Sequence, residues 1–108
     1  MPGIDYSETY SRLKNDTYRA ISEISLKKLR AEQTLRDFEY QYRRNGIDGH
    51  EHINSIHYYI NTYNNTIDEL NKFKYGVFVT HEIPISTADK TLNNIINGAS
   101  IGGRGNGI

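Results

Sequence analysis

The stretch Asn45-Gly46-Ile47-Asp48-Gly49 decides the fold, because it joins a helix stop signal to a helix start signal. Asn45 and Gly46 tolerate a positive backbone φ angle, and helices commonly end on such residues. Asp48 and Glu51 stand three positions apart, which is the spacing of a capping box at a helix start. Helices joined by so short a connection pack as antiparallel neighbours. The sequence therefore predicts a helical hairpin that turns at residues 45–49.

The first predicted helix covers residues 5–44. A second capping box, formed by Asp5 and Glu8, marks its start. Core-type residues then recur at spacings of three, four and seven, which indicates a helix and not a strand. They are Tyr6, Tyr10, Leu13, Thr17, Ile21, Ile24, Ala31, Leu35, Phe38 and Tyr42. Leu26 and Leu29 fall off this stripe and form a second apolar face, which predicts a partner.

Asn15 and Asp16 leave two forms of this helix open. An unbroken helix would be about 60 Å long, against about 42 Å for the second predicted helix, so its first dozen residues would overhang. Alternatively, the helix breaks at Asn15 and Asp16, because their side chains compete with the backbone for hydrogen bonds. The two helices would then be nearly equal in length.

The second predicted helix covers residues 48–75, and its apolar residues alternate steps of three and four. They are Ile53, Ile56, Ile60, Tyr63, Ile67 and Leu70. Lys72 and Lys74 place positive charge in the last turn. Gly76 is predicted to end the helix in the left-handed conformation.

Residues 77–108 are predicted to form an extended arm. Val77 to Ile85 is rich in β-branched residues and contains Pro84, which limits it to an edge strand or an extended segment. Ser86 opens a short third helix that ends near Asn97, and residues 99–108 have the glycine-rich composition of a tail. The fold class is mainly all-α, with a helical hairpin at 1–76 and the arm at 77–108.

Composition excludes several classes of protein. The 108 residues are 36% hydrophobic and carry no net charge, so no overall field attracts nucleic acid or an anionic membrane. The chain has no cysteine, which rules out disulfides and cysteine-based zinc sites. It has no apolar run of about 18 residues that could span a membrane. It also opens without a signal-peptide pattern, so we expect cytoplasmic synthesis.

Three histidines, His50, His52 and His57, cluster at the start of the second helix. A zinc-protease motif needs histidines four positions apart, but Asn54 occupies that position after His50. The last two histidines are five apart and point to different faces. No metal, cofactor or catalytic residue is predicted.

Tyr40 and Tyr42 lie beside Arg43 and Arg44, a combination that could stack on nucleic-acid bases. The acidic residues interleaved with them and the zero net charge argue against that interpretation. Tyrosine and arginine are also enriched at protein interfaces, and this is the interpretation that the sequence favours.

The predicted hairpin resembles, in outline, the small helical hairpins of WXG-type secretion substrates and their partners. This chain has no tryptophan, so the Trp-x-Gly turn of that family is missing from residues 45–49. The resemblance therefore assigns no residue a role.

The surplus apolar faces and the arm predict a non-enzymatic structural or adaptor subunit of a multi-subunit assembly, with a phage or virus particle as the expected setting. Its partners would be copies of itself or neighbouring subunits. The alternative is a one-to-one helical binding partner, such as a secretion-associated chaperone or an inhibitor. The predicted contact residues are Leu26, Leu29, Tyr40, Tyr42, Val77, Phe78, Val79, Ile83, Ile85, Ile95 and Ile96.

Overall fold

A computed structural model of the chain describes residues 5–80 and 83–99, in an elongated shape of 72 × 17 × 17 Å. Helix α1 spans Ser7–Asn45 and helix α2 spans His50–Lys74. A single π-helical turn, Tyr75–Val79, extends α2, and helix α3 spans Ile85–Ala99. Within the described ranges there is no strand, so the predicted mainly all-α hairpin is confirmed. The predicted glycine-rich tail lies, from residue 100 onward, outside the described residues.

Helix α1 is unbroken at Asn15 and Asp16. Asp16 faces the surface, where its carboxylate lies 3.8 Å from the Arg19 guanidinium. The next residue, Thr17, is fully buried, and its hydroxyl donates to the carbonyl of Leu13 at 2.7 Å. Packing on both sides of Asn15 thus outweighs the local preference of asparagine and aspartate for helix ends.

The first turns of α1 do not overhang, because α3 packs beside them. The Tyr10 hydroxyl donates to the carbonyl of Ile83 at 3.4 Å. Ala88 and Leu92 of α3 are almost completely buried in the same core as the hairpin. The C-terminal segment therefore folds onto its own chain. The division of the chain into a hairpin at 1–76 and an arm at 77–108 stays a prediction.

Both long helices begin on the same local structure. Asp5 accepts a hydrogen bond from the backbone N–H of Ser7 at 2.9 Å and another from the Ser7 hydroxyl. Asp48 accepts from the backbone N–H of His50 at 3.1 Å. Each aspartate thus caps a backbone N–H two positions ahead. The predicted capping boxes, which place that bond three positions ahead, are wrong in this detail, and the helices start at residues 7 and 50.

The turn between α1 and α2 forms as the sequence predicts. Gly46 has φ 68° and ψ 23°, in the left-handed region. Its backbone N–H and that of Ile47 both donate to the carbonyl of Tyr42, which satisfies the end of α1. Gly49 lies against the Tyr42 ring so closely that a Cβ atom there would stand 1.9 Å from a ring carbon.

The core runs along the seam between the helices. Its buried apolar residues are Leu13, Ala20, Ile24, Ala31, Ile56, Ile60, Tyr63, Leu70, Phe73, Val77, Ala88 and Leu92. Most of these positions belong to the two predicted stripes. Every buried side-chain nitrogen or oxygen in the described part of the chain has a hydrogen-bond partner. Burial raises the pKa of Tyr63 above its ordinary value, and the neighbouring Tyr59 adds a smaller effect in the same direction.

The predicted strand at Val77 is wrong, and so is the predicted helix end at Gly76. Residues 75–79 continue α2 as one π-helical turn, in which the Thr80 N–H donates to the carbonyl of Tyr75 at 3.3 Å. Val77 is completely buried there, and the rings of Phe73 and Phe78 meet edge to face at 6.1 Å. Burial of these side chains outweighs the β-branched composition. The predicted third helix is confirmed and includes Gly98.

Candidate protein-interaction surface

The surface of α1 that faces away from the core carries a continuous row of residues, which we call the outer stripe. Its members recur at steps of three and four along α1, so they share one face of the helix. All of them are exposed. The outer stripe consists of Tyr18, Ser22, Leu26, Leu29, Gln33, Arg36 and Tyr40. It extends for about 33 Å at 1.5 Å per residue.

Two leucines form the apolar centre of the outer stripe. Leu26 is 47% exposed and Leu29 is 49% exposed. Single exposed leucines are ordinary on protein surfaces. Here, however, the two are neighbours on one face, and the row contains no acidic residue and only one charge, that of Arg36. A row with a single charge, on a helix whose opposite face is already packed, can bind a partner helix.

Tyrosines lie near both ends of the outer stripe. Tyr18 is half-exposed, and the Lys74 ammonium of α2 stands 5.2 Å from its ring centroid. Tyr40 is more exposed, and its hydroxyl accepts a hydrogen bond from the Arg44 guanidinium at 3.3 Å. Both rings thus present apolar surface with one polar contact each, an arrangement typical of interface tyrosines.

The structure separates the predicted contact residues into three groups. Leu26, Leu29, Tyr40 and Val79 are exposed. Val77 is buried in the core of its own chain and is not part of the surface. The remaining residues are half-buried. Tyr42 lies at the turn, and the others pack against the core: Phe78, Ile83, Ile85, Ile95 and Ile96.

Tyr42 belongs to an aromatic cluster at the turn and not to the outer stripe. Its ring stacks on Phe38 at 5.7 Å and on His52 at 6.5 Å, and it covers Gly49. Tyr40 and Tyr42, which the sequence grouped together, therefore lie on different faces of α1.

The histidines at the start of α2 are exposed and separate. His50 contacts Asp48, with 3.3 Å between its Nδ1 and the carboxylate, while His52 packs on the aromatic cluster. Within residues 5–80 and 83–99, no three His, Asp or Glu side chains stand close enough to hold a metal ion together.

Two aspartates at the helix starts have pKa values below the ordinary value. Hydrogen bonds from the Ser7 hydroxyl and the Ser7 backbone lower the pKa of Asp5. The pKa of Asp48 is lowered mainly by hydrogen bonds from the His50 backbone and side chain, and to a smaller extent by the charge of His50. Both groups stabilise helix ends, and both are fully exposed.

Leu26, Leu29 and Tyr40 of the outer stripe were predicted as contact residues from the sequence. Four other members of the stripe were not: Tyr18, Ser22, Gln33 and Arg36. Their signal is their position: they share the three-and-four spacing of the leucines on the face opposite the core. Serine and glutamine do not stand out by composition, so an apolar pattern alone passes over them.

None of the described helices is both long enough and apolar enough to cross a membrane. Comparison with protein-family models, with curated proteins and with solved structures finds no match to this chain.

Proposed function

We propose that the protein is a non-enzymatic structural or adaptor subunit that joins a multi-subunit assembly through the outer stripe of α1. The observation that carries this proposal is the pair of half-exposed leucines, Leu26 and Leu29, at the centre of a row that has a single charge. Burying them against another helix would remove apolar surface from water, which is the main driving force of protein association.

The C-terminal segment gives little support to this proposal. An extended arm could join a neighbouring subunit by strand addition, but residues 77–79 are helical and α3 packs on its own hairpin. The outer stripe is therefore the contact surface that we propose. The setting in a phage or virus particle is part of the proposal. The chain is rich in Asn, Ile and Tyr, a composition compatible with an AT-rich genome, which suits many phages and also many bacteria.

A second candidate function is one-to-one binding to another protein, as a secretion-associated chaperone or an inhibitor does. One observation favours it: α3 folds back onto the hairpin, so the outer stripe is a single surface that one partner helix could cover. This candidate predicts that the purified chain is a monomer until its partner is added.

Sedimentation of the double variant Leu26→Ser and Leu29→Ser tests the proposed surface. We expect the wild-type chain to sediment as an oligomer and the double variant as a monomer of unchanged helix content. Tyr58→Ser is the matched control, because Tyr58 is an exposed apolar residue on α2. An oligomer that survives the double substitution would place the contact elsewhere, and a monomeric wild-type chain would favour one-to-one binding.

A further inference from the structure

One edge of the outer stripe carries charges in an order that suits pairing with itself. Arg19, Glu23, Arg30 and Asp37 follow one another along the middle of this edge of α1, with Arg12 and Arg44 at its two ends, and all of them are exposed. The signs of the four middle charges alternate from positive to negative. Read in the opposite direction, the same edge alternates from negative to positive.

We propose that the outer stripe binds the outer stripe of a second, antiparallel copy of this chain. The two-fold axis would cross the helices at a right angle between Leu26 and Leu29. This inference rests on the proposed function and names the partner of that surface. A two-fold contact uses the same patch on both copies, so the patch must be complementary to itself.

The apolar centre meets this requirement. With the axis in that position, Leu26 of each copy lies opposite Leu29 of the other. Four leucines that are each about half-exposed in the single chain then form one cluster at the axis. Beyond them, Ser22 of one copy lies opposite Gln33 of the other, so a short side chain faces a longer one.

The charged edge meets the same requirement. In an antiparallel pair, an edge of one helix meets the same edge of the other. Arg19 of one copy then lies within one position of Asp37 of the other, and Glu23 within two positions of Arg30. These offsets amount to about 1.5–3 Å along the helix, which long side chains bridge. The pair would contain four contacts between opposite charges. At the ends of the edge, Arg12 of each copy lies within one position of Arg44 of the other, which adds two contacts between like charges.

The present contacts of these side chains leave them available. Arg19 has one ion pair, with Asp16 at 3.8 Å, and its side chain is 68% exposed. Within the described residues, Glu23, Arg30 and Asp37 form no ion pair. Exposed charges of this kind add little affinity but determine the orientation and register of a pair.

The charges favour the antiparallel over the parallel arrangement. A parallel pair would bring this edge against the opposite edge of the other copy, where Asp37 meets Glu39 and like charges repel. In the antiparallel pair, the opposite edge meets itself. Lys14 falls between Glu39 and Arg43 of the other copy, and the two Lys28 side chains lie within one position of each other near the axis. That edge adds no net attraction, and the edge containing Arg19 sets the direction.

Reversing charges in two complementary variants tests the proposal. The first variant, Arg19→Glu with Arg30→Glu, makes the four middle positions of the edge acidic. The second, Glu23→Arg with Asp37→Arg, makes the edge basic throughout. We expect each variant alone to have the 12.4 kDa mass of one chain in light scattering. An equimolar mixture of the two is expected to return to twice that mass, as the wild-type chain does.

The matched control reverses two exposed charges on α2, Asp68→Arg with Glu69→Arg, and is expected to associate like the wild-type chain. If the wild-type chain associates and the reversed variants associate equally well, this inference fails while the proposed function stands. If the mixture stays monomeric, the antiparallel pairing fails. A wild-type chain that is monomeric at every concentration overturns both proposals.

Disulfide cross-linking gives a second measurement that needs no change of charge. The chain has no cysteine, so single substitutions report one contact each. We expect Ser22→Cys mixed with Gln33→Cys to form a mixed disulfide. Either variant alone is expected to form little, because its own thiols would lie about 16 Å apart along the helix, far beyond disulfide reach. Efficient cross-linking of each variant with itself would instead show a parallel pair.

Discussion

The two ends of the hairpin join consecutive helices in different ways. At the turn end, Gly46 reverses the chain in the left-handed conformation and Asp48 caps α2. At the other end, a π-helical turn that contains Gly76 continues α2, and the chain then folds back as α3. Local residue preferences determine the first connection, whereas burial of Val77 and of the α3 residues determines the second. Glycine therefore has opposite roles at the two ends.

The largest effect is expected at the α3 end, from Leu92→Ala. Leu92 is 2% exposed in the core, and truncation of such a leucine costs about 3 kcal/mol of unfolding free energy. Urea unfolding followed by circular dichroism measures this loss. Asn93→Ala, at an exposed neighbouring position, is the control and should change little. Equal stabilities of the two variants would show that α3 does not pack on the hairpin.

At the turn end, Gly49→Ala is expected to cost about 2 kcal/mol, because its Cβ atom would overlap the Tyr42 ring. The same unfolding experiment measures it. The control repeats the substitution in a Tyr42→Ala background, where the overlap is gone and the added cost should largely disappear. An equal cost in both backgrounds would assign the effect to the backbone of Gly49.

The substitutions Gly46→Ala and Gly76→Ala compare the two ends of the hairpin directly. At Gly46 the φ angle of 68° penalises alanine by about 1 kcal/mol, although nothing crowds the site. At Gly76 alanine favours the helical backbone by up to about 1 kcal/mol. Its Cβ atom would lie 3.3 Å from the Ile83 side chain, which must move by a few tenths of an ångström. Unfolding free energies are expected to change in opposite directions. Destabilisation at both positions would show either that crowding by Ile83 outweighs the helix preference of alanine or that Gly76 is not helical.

The smallest expected effect is a loss of stability at low pH. The folded-state pKa values of Asp5 and Asp48 lie below the unfolded value near 3.8, so their contribution is complete above that pH. It is lost as the pH falls below 3.8 through the folded values.

The double variant Asp5→Asn and Asp48→Asn tests this pH dependence, because it should show a smaller drop in unfolding free energy between pH 5 and pH 2 than the wild-type chain. Asp68→Asn, in the body of α2, is the control. Identical drops in wild type and double variant would show that the two caps do not contribute.

The fold is predictable from the sequence where local interactions determine it. The hairpin, its turn and the two core stripes follow from the positions of Gly46, Asp48 and the apolar residues of α1 and α2. The prediction failed at Val77, because a β-branched segment can also be held in a helix when its side chains are buried. That burial depends on tertiary packing, which the composition of residues 77–85 does not reveal.

The candidate surface was predictable only in part, for a related reason. Leu26 and Leu29 stand out as apolar residues off the core stripe, so the sequence identified them. Ser22 and Gln33 belong to the same surface by geometry alone. Identifying them requires knowing which face of α1 the core and α3 already cover, and that follows from the fold.

The central claim is that the outer stripe makes this protein a self-associating subunit. Its most direct test is the solution mass of the full wild-type chain, measured by light scattering over a hundredfold range of concentration. We predict a rise from the 12.4 kDa of one chain toward at least twice that mass as concentration increases. A mass that stays at 12.4 kDa throughout the range would contradict the account.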